Sequence, residues 1–329
     1  MSFTNYPQGV TSLGIPVTGS IPMVLGASGV GKIYFVDATN GSDGNNGLSA
    51  TRAMKTIDIA YAAAASGDTI ALSTNSTHTL TAPIAWTKSR INMVGLDYNG
   101  RQVQQGAKVT NSSTSSVAYV IKVTGVRNSF TNIKFIQSST NAAALSVLQE
   151  GGEGNLYQNC SFVFGVVDNL DLTTAHEVVA GSDSATYLNC TFGADTLLTS
   201  GNRSVFHIDQ VTASQEFKSN ILENCNFIIS SSQTLATFVR LDAVGDVLFT
   251  NIFKNCVFAA SVDSAGGVAL AEAAQTGTST VKGTLLFYNP VAFNCTDFST
   301  ATGGRNTNIQ VLGTTSTAGT AGVGVAPTA

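Results

Sequence analysis

The chain has 329 residues, of which 16 are basic and 20 acidic; charged residues therefore make up 11% of it, while hydrophobic residues make up 43%. An average soluble domain carries roughly 25% charge, yet this hydrophobic content is too high for an intrinsically disordered chain. A net charge of −4 without a basic cluster argues against nucleic acid as a partner. No apolar run reaches the roughly 18 residues that predict membrane insertion. Ser, Thr and Asn fill about 98 positions beside 32 glycines, which favours strands and turns over long helices.

Residues 1–32 predict an extended arm, because prolines and glycines are scattered through them without a hydrophobic period. The segment GASGVGK (26–32) matches the first seven positions of a phosphate-binding P-loop. However, Ile33 stands where that motif needs Ser or Thr, and a strand pattern follows instead of a helix. We interpret the segment as a glycine-rich linker.

The first regular elements follow this arm. Residues 33–38 predict a strand, residues 39–50 a turn-rich loop, and residues 67–72 a second strand. Between them, residues 55–66 predict the one helix of the chain. Its apolar face is formed by Ile57, Ala60, Tyr61 and Ala64.

The loop around residues 37–46 also raises the question of a metal site. Its oxygen-bearing side chains are Asp37, Asn40, Asp43, Asn45 and Asn46. Calcium prefers such ligands, but the ligand order of an EF-hand is absent and the same residues are typical of plain turns. We expect turns and no cofactor, with a calcium ion as the alternative.

A repeat dominates the rest of the chain. Six copies share a central asparagine, and in five of them a cysteine comes next, as in YQNCSF and FKNCVF. The asparagines are Asn132, Asn159, Asn189, Asn224, Asn255 and Asn294. The cysteines are Cys160, Cys190, Cys225, Cys256 and Cys295. A period near 30 residues predicts a solenoid of stacked units.

Within each copy the chain must bend at the asparagine. Phe253, Cys256 and Phe258 lie two before, one after and three after Asn255, so a straight strand could not bury all three on one face. Asparagine accepts the left-handed conformation that such a bend needs. We expect the stacked asparagines to form a hydrogen-bonded ladder and the cysteines to be reduced core thiols. A second asparagine stands four residues earlier in four copies: Asn128, Asn155, Asn220 and Asn251.

These rungs resemble the right-handed parallel β-helix of the pectin-lyase-like superfamily. Residues 35–72 resemble the strand, loop, capping helix and strand at the start of many such proteins. The resemblance implies an all-β, right-handed parallel β-helix with Asn ladders and one N-terminal capping helix. The body would span residues 33–298 and a Gly/Thr/Ala-rich tail residues 299–329. This fold carries lyases, hydrolases, adhesins and inert spikes, so it does not assign a function.

The strands between the copies contain the candidates for a catalytic site. In VFHIDQV (205–211) and TFVRLDAV (237–244), polar residues alternate with apolar ones, so we expect His207, Asp209, Arg240 and Asp242 to project outward. Stacking would place the two carboxylates about 5 Å apart, the separation in retaining glycosidases. The resemblance adds lyases that pair carboxylates with calcium and an Arg or Lys base. Alternating charge is also typical of any solvated sheet face, so we expect no enzyme and keep a carbohydrate-active site as the alternative.

The opening segment TNYPQGVTSLGIPVTG (4–19) resembles the N-termini of phage virion structural proteins. It implies a homotrimeric capsid decoration or head or tail projection, attached through residues 1–31 to the capsid or another virion protein. The first alternative is a receptor-binding spike that binds or cleaves a host surface glycan. The second is a free carbohydrate-active enzyme of the lyase type.

Overall fold

The computed structural model describes the greater part of the predicted body. The described residues are 11–12, 15–16, 31–74, 76–80, 82–96, 105–116, 118–141, 143–164, 176–180, 182–198, 204–208, 217–231, 237–241, 247–262, 268–273, 283–293, 295–301 and 309–312. For several strands, among them 176–180, 268–273 and 295–301, only the backbone pairing is described. The predicted arm (1–32) and tail (299–329) lie largely outside these ranges, so their boundaries stay predictions.

Three parallel sheets build the body as a right-handed parallel β-helix. Each coil adds one strand to the first sheet, turns into the second sheet, and then crosses to the third. In six coils the turn from the first sheet to the second is made at an asparagine. Two short pairs stand apart: β1 (Thr11–Ser12) with β2 (Ile15–Pro16), antiparallel, and β19 (Phe217–Lys218) with β23 (Val247–Leu248), parallel.

The first sheet has ten strands: β3 (Ile33–Val36), β4 (Thr69–Leu72), β7 (Asn92–Gly95), β10 (Ser129–Thr131), β13 (Leu156–Gln158), β16 (Thr186–Leu188), β20 (Ile221–Glu223), β24 (Thr250–Lys254), β27 (Thr284–Tyr288) and β30 (Ile309–Leu312). The second has eight: β5 (Thr77–Leu80), β8 (Ala107–Asn111), β11 (Ile133–Gln137), β14 (Ser161–Phe164), β17 (Thr191–Leu198), β21 (Asn226–Ser231), β25 (Val257–Val262) and β28 (Val291–Phe293). The third also has eight: β6 (Ile84–Trp86), β9 (Ile121–Val123), β12 (Ser146–Glu150), β15 (His176–Ala180), β18 (Ser204–Ile208), β22 (Thr237–Leu241), β26 (Val268–Ala273) and β29 (Cys295–Ala301).

The asparagine bends join the first sheet to the second. Their φ angles lie between 51° and 57°, in the left-handed region that asparagine tolerates. The bend residues are Asn132, Asn159, Asn189, Asn224, Asn255 and Asn289.

The last bend differs from the predicted one. Asn289, not Asn294, continues the column, because Phe287 and Ala292 keep the apolar positions two before and three after it. Asn294 lies outside the described residues. Cys295, which we expected in the cysteine column, instead begins β29 in the third sheet.

A second column of left-handed residues precedes the first-sheet strands. Its φ angles lie between 54° and 63°, so five of the ten strands of this sheet start and end at a left-handed bend of these two columns. The residues are Arg90, Arg127, Gly154, Ser184, Ser219 and Phe249. Sequence patterns did not predict this column, because its members share no residue type.

Stacked aromatic rings fill the interior. One column continues through the second sheet, with successive ring centroids 4.7–5.5 Å apart: Phe135, Phe162, Phe192, Phe227 and Phe258. A second column on the first sheet stacks Phe130, Tyr157 and Tyr187, and Phe253 stacks on Phe287 further along. The in-register repeat therefore places like side chains on one another.

Helix α1 (Ile57–Ala63) covers the N-terminal end of this core, shorter than the predicted 55–66. Its predicted face is correct: Ile57, Ala60 and Ala64 are buried, and Tyr61 stacks on Trp86 at 4.3 Å between ring centroids. In the described part of the chain, no helix has the length and apolar character required to cross a membrane.

Candidate functional site

Two of the predicted catalytic residues, His207 and Arg240, belong to the outer row of the third sheet. Strands β18 and β22 pair in register, with His207 opposite Arg240 and Ile208 opposite Leu241. Asp209 and Asp242 lie outside the described residues, so the carboxylate pair stays a prediction. The structure does bring His207 and Arg240 to adjacent rungs, about 4.8 Å apart.

His207 does not project into solvent as expected. It is only 5% exposed, whereas Arg240 is half-buried. Arg240 lies in register with Glu272, the next residue of this row, so a base and an acid occupy neighbouring rungs there. A guanidinium beside a buried imidazole can recognise an anionic group, but two neighbouring charges on a sheet can equally form a structural ion pair.

The carboxylates of the predicted calcium loop are occupied by protein donors. Oδ1 of Asp37 accepts hydrogen bonds from the backbone N–H groups of Thr39 and Asn40, and this bonding holds the pKa of Asp37 below its usual value. Oδ1 of Asp43 accepts bonds from the backbone N–H groups of Lys55 and Thr56. These carboxylates fix the turn that leads into α1, as plain Asx turns do.

The asparagines of the same loop also bond within it. Nδ2 of Asn40 donates to Asp37, and Nδ2 of Asn45 donates to the carbonyl of Ala53 at 2.9 Å. Oδ1 of Asn46 accepts the backbone N–H of Leu48. Within the described ranges, no group of three or more His, Cys, Asp or Glu residues is placed to hold a metal ion. A calcium ion stays the alternative hypothesis.

The most perturbed acidic group lies inside the body. Glu150 ends β12 and is fully buried, in the inward column that holds Val123 and Ile208 on other rungs. Burial raises the pKa of this carboxyl to about 7. The same burial raises the pKa of its partner Tyr157 well above the usual value.

Three donors hold the Glu150 carboxyl. Its Oε1 accepts the backbone N–H of Gly152 at 2.6 Å and Nδ2 of Asn155 at 2.9 Å, and its Oε2 accepts the hydroxyl of Tyr157. Because Glu150 belongs to β12 and Tyr157 to β13, the cluster joins the third sheet to the first. Sequence reasoning missed it, since Glu150 carries no motif.

The most deeply buried asparagine column is the earlier one, present in four copies: Asn128, Asn155, Asn220 and Asn251 are at most 1% exposed. The bend column is buried at Asn132, half-buried at Asn159 and Asn189, and exposed at Asn224, Asn255 and Asn289. Oδ1 of Asn251 accepts both the backbone N–H and Nδ2 of Asn220 at 3.0 Å. The bend column shows amide-to-amide bonds as well, from Asn159 to Asn132 at 2.6 Å and from Asn289 to Asn255 at 3.1 Å.

The cysteine column is part of the core. Cys160, Cys190, Cys225 and Cys256 are buried free thiols. Each donates to a backbone carbonyl of the preceding rung, such as Cys190 to Tyr157 at 3.4 Å. Burial raises the pKa of Cys190 well above that of an ordinary thiol, which makes it a poor nucleophile.

Comparisons with known proteins agree on the fold. No family model and no curated protein sequence matches this chain. Among solved structures, it is similar to a pectin methylesterase from Aspergillus niger, with 14% identity over 87% of this chain and 86% of that chain and a TM-score of 0.54. A pectin methylesterase mutant in complex with a hexasaccharide has 12% identity over 87% of this chain and 91% of that chain, with a TM-score of 0.52. A pectin methylesterase from Erwinia chrysanthemi has 13% identity over 84% of this chain and 81% of that chain, with a TM-score of 0.51.

These similarities establish the architecture of the chain. At such low identity they show that the chain shares the right-handed parallel β-helix of polysaccharide-acting enzymes. The predicted fold class is thereby confirmed. The activity has to be argued from the residues of this chain.

Proposed function

We propose that this chain is a structural protein of a bacteriophage virion, a β-helix projection that stabilises or decorates the particle. Its body would stand on the capsid or another virion protein, and residues 1–31 would attach it. The proposal makes its contribution mechanical and adhesive, with no catalytic step.

The observation that carries the proposal is where the perturbed ionisable groups lie. In enzymes, groups with strongly shifted pKa values cluster in clefts, where they reach the substrate. Here the pKa values of Glu150, Tyr157, Tyr187 and Cys190 are raised by complete burial. Glu150, Tyr157 and Cys190 bond to other core groups or to the backbone. These groups stabilise the packing of neighbouring coils, which favours a structural role for the protein over a catalytic one.

The test is the composition of purified phage particles. Quantitative mass spectrometry of particles from a culture that produces this chain should find it in a fixed number of copies per particle. A copy number divisible by three would fit the expected homotrimer. Recovery of the chain only from the particle-free fraction would overturn the proposal.

A second candidate is a spike that binds or cleaves a polysaccharide. The observation in its favour is the row of His207, Arg240 and Glu272 on adjacent rungs of the third sheet. Two structures of similar fold were solved in complex with a hexasaccharide, which adds a reason to test this class of ligand.

Incubation with acidic and neutral polysaccharides distinguishes the two candidates. Released methanol, new reducing ends and unsaturated products would each report one reaction class. The virion proposal predicts no turnover by any of them. Turnover lost in Arg240→Gln and kept in Lys134→Gln, a matched change on the second sheet, would establish the enzyme instead.

A further inference from the structure

The outer face of the first sheet changes character along the body. At the N-terminal end its outward residues are covered by the chain itself: Phe35 and Ala71 pack against Ala53 of the loop, and each is at most 6% exposed. Val94 and Thr131 continue the same outward row and are also buried.

Towards the C-terminal end, the same face is open to solvent and carries apolar residues beside an ion pair, Glu223 and Lys254, which lies in the row of Tyr288. Ile221, Tyr288 and Leu312 are 39%, 47% and 49% exposed, and Ile252 and Leu286 are half-buried. Register places these residues in two adjacent rows: Ile221, Ile252 and Leu286 form one, and Tyr288 and Leu312 belong to the other. Together with Phe249 at the margin, we call them the apolar stripe.

Phe249 is the least favourable residue of the stripe for an isolated chain. It is 67% exposed and has a φ of 54°, a conformation that costs a bulky side chain free energy. Gly154 adopts the corresponding conformation three rungs away without that cost. An exposed aromatic on a strained backbone is typical of a contact residue.

The charges around the stripe are already paired within the chain. Nζ of Lys254 lies 2.8 Å from Glu223, and Nζ of Lys218 lies 3.0 Å from Asp183. The face therefore offers a charged ligand no unpaired partner among these four residues. A face with exposed apolar side chains and internally paired charges is complementary to a second face with the same properties, which another copy of the chain supplies.

We propose that the apolar stripe is the surface through which copies of this chain associate. The proposal does not depend on the virion assignment. The stripe and its margins cover about 24 Å along the axis, at about 4.8 Å per strand, and about 17 Å across. Two apposed faces would bury about 800 Å² in total, below the roughly 1,200 Å² of stable complexes, so the association is weak.

Sedimentation velocity of the full chain over a range of concentrations tests this. We expect the wild type to shift reversibly from monomer to a larger species, with a dissociation constant on the order of 10–100 µM. The dissociation constant of the double variant Phe249→Asn/Ile221→Thr should be at least tenfold higher than that of the wild type. Asn tolerates the left-handed bend and Thr suits a strand, so both changes preserve the fold.

Two exposed apolar residues elsewhere provide the matched control. Ile59 on α1 and Leu48 in the loop are both 42% exposed, so Ile59→Gln/Leu48→Gln removes similar apolar surface away from the stripe. This control should associate within twofold of the wild type. A wild type that stays monomeric throughout would overturn the proposal, and so would equal weakening in both variants. If the stripe variant fails to melt cooperatively, Tyr288→Thr replaces it.

Discussion

At the scale of the residue, four rungs contain two kinds of asparagine, and the roles of the two differ. The bend asparagines provide a left-handed backbone, whereas the earlier ones are buried and satisfy backbone donors. Oδ1 of Asn220, for example, accepts the backbone N–H of Ala185 at 2.7 Å. The first role depends on backbone conformation and the second on hydrogen bonding, so substitutions should separate them.

Replacing a buried asparagine should be costly. Asn251→Ala leaves the backbone N–H and Nδ2 of Asn220 without their acceptor, and the carbonyls of Phe217 and Leu248 without the Nδ2 donor. We expect the free energy of unfolding to fall by about 3 kcal/mol, measured by urea denaturation. Asn255→Gly is the control, because it keeps the left-handed bend and removes an exposed side chain. An equal loss in both variants would contradict the division of roles.

Phe249 gives the opposite expectation. Phe249→Gly removes a bulky side chain from a left-handed position, so we expect the unfolding free energy to rise by about 0.5–1 kcal/mol. Thermal unfolding at low protein concentration measures this, because self-association then makes no contribution. Ile221→Gly, at an extended position on the same face, should be destabilising. A less stable Phe249→Gly chain would show that the ring is needed for packing within one copy.

At the scale of the element, α1 is held at its C-terminal end by a single lysine. Nζ of Lys88 donates to the carbonyls of Tyr61, Ala62 and Ala64 at 2.7–2.9 Å. A cation at this end also interacts favourably with the helix dipole. The sequence predicted the helix and its apolar face, but not this cap, because 24 residues separate Lys88 from Ala64.

Removing this cap should loosen the helix without unfolding the body. Lys88→Met keeps most of the apolar stem and loses the three charge-assisted hydrogen bonds. We therefore expect the free energy of local unfolding of α1 to fall by about 2 kcal/mol. Hydrogen exchange of the α1 amides should accelerate, while amides of the central strands stay protected. Lys55→Met, at an exposed position, is the control. Unchanged exchange of α1 in Lys88→Met would refute the capping role.

At the scale of the whole molecule, Glu150 couples stability to pH. Its pKa rises from 4.5 to about 7 on folding, so the folded state binds the proton more tightly than the unfolded state. This contribution is fully present below pH 4.5 and is lost as pH rises through about 7. The pKa of His78 is lowered by burial, which gives an opposite trend over part of this range.

The difference between wild type and Glu150→Gln isolates the contribution of the carboxyl. We expect the unfolding free energy of the wild type, relative to the variant, to fall by on the order of 3 kcal/mol between pH 4.5 and pH 7.5. Urea titrations at several pH values measure this difference. Glu223→Gln, on the outer face, should not reproduce it. A wild-type-to-variant difference that is constant over this range would show that Glu150 does not change its protonation on folding.

The local sequence of each copy is enough to predict its bend and its buried face. A left-handed asparagine and the apolar residues around it are local requirements of the backbone, so FKNCVF predicts a bend and its inward face wherever it occurs. The same local logic gave the face of α1 and the solenoid class. It misplaced the last bend, because Asn289 is followed by a proline where four of the other five bend residues are followed by a cysteine.

Which side chains contact each other across coils depends on the tertiary structure. Burial of Asn251 rather than Asn255, the place of Glu150 in an aliphatic column and the exposure of the apolar stripe all depend on contacts between rungs about 30 residues apart. Loop lengths and the packing of whole coils set that register, and a local pattern contains neither. The composition predicted strands and turns with little charge, and the asparagine repeat predicted that they stack. The contacts between coils determined which charges are paired, as for Lys254 with Glu223 and Lys218 with Asp183.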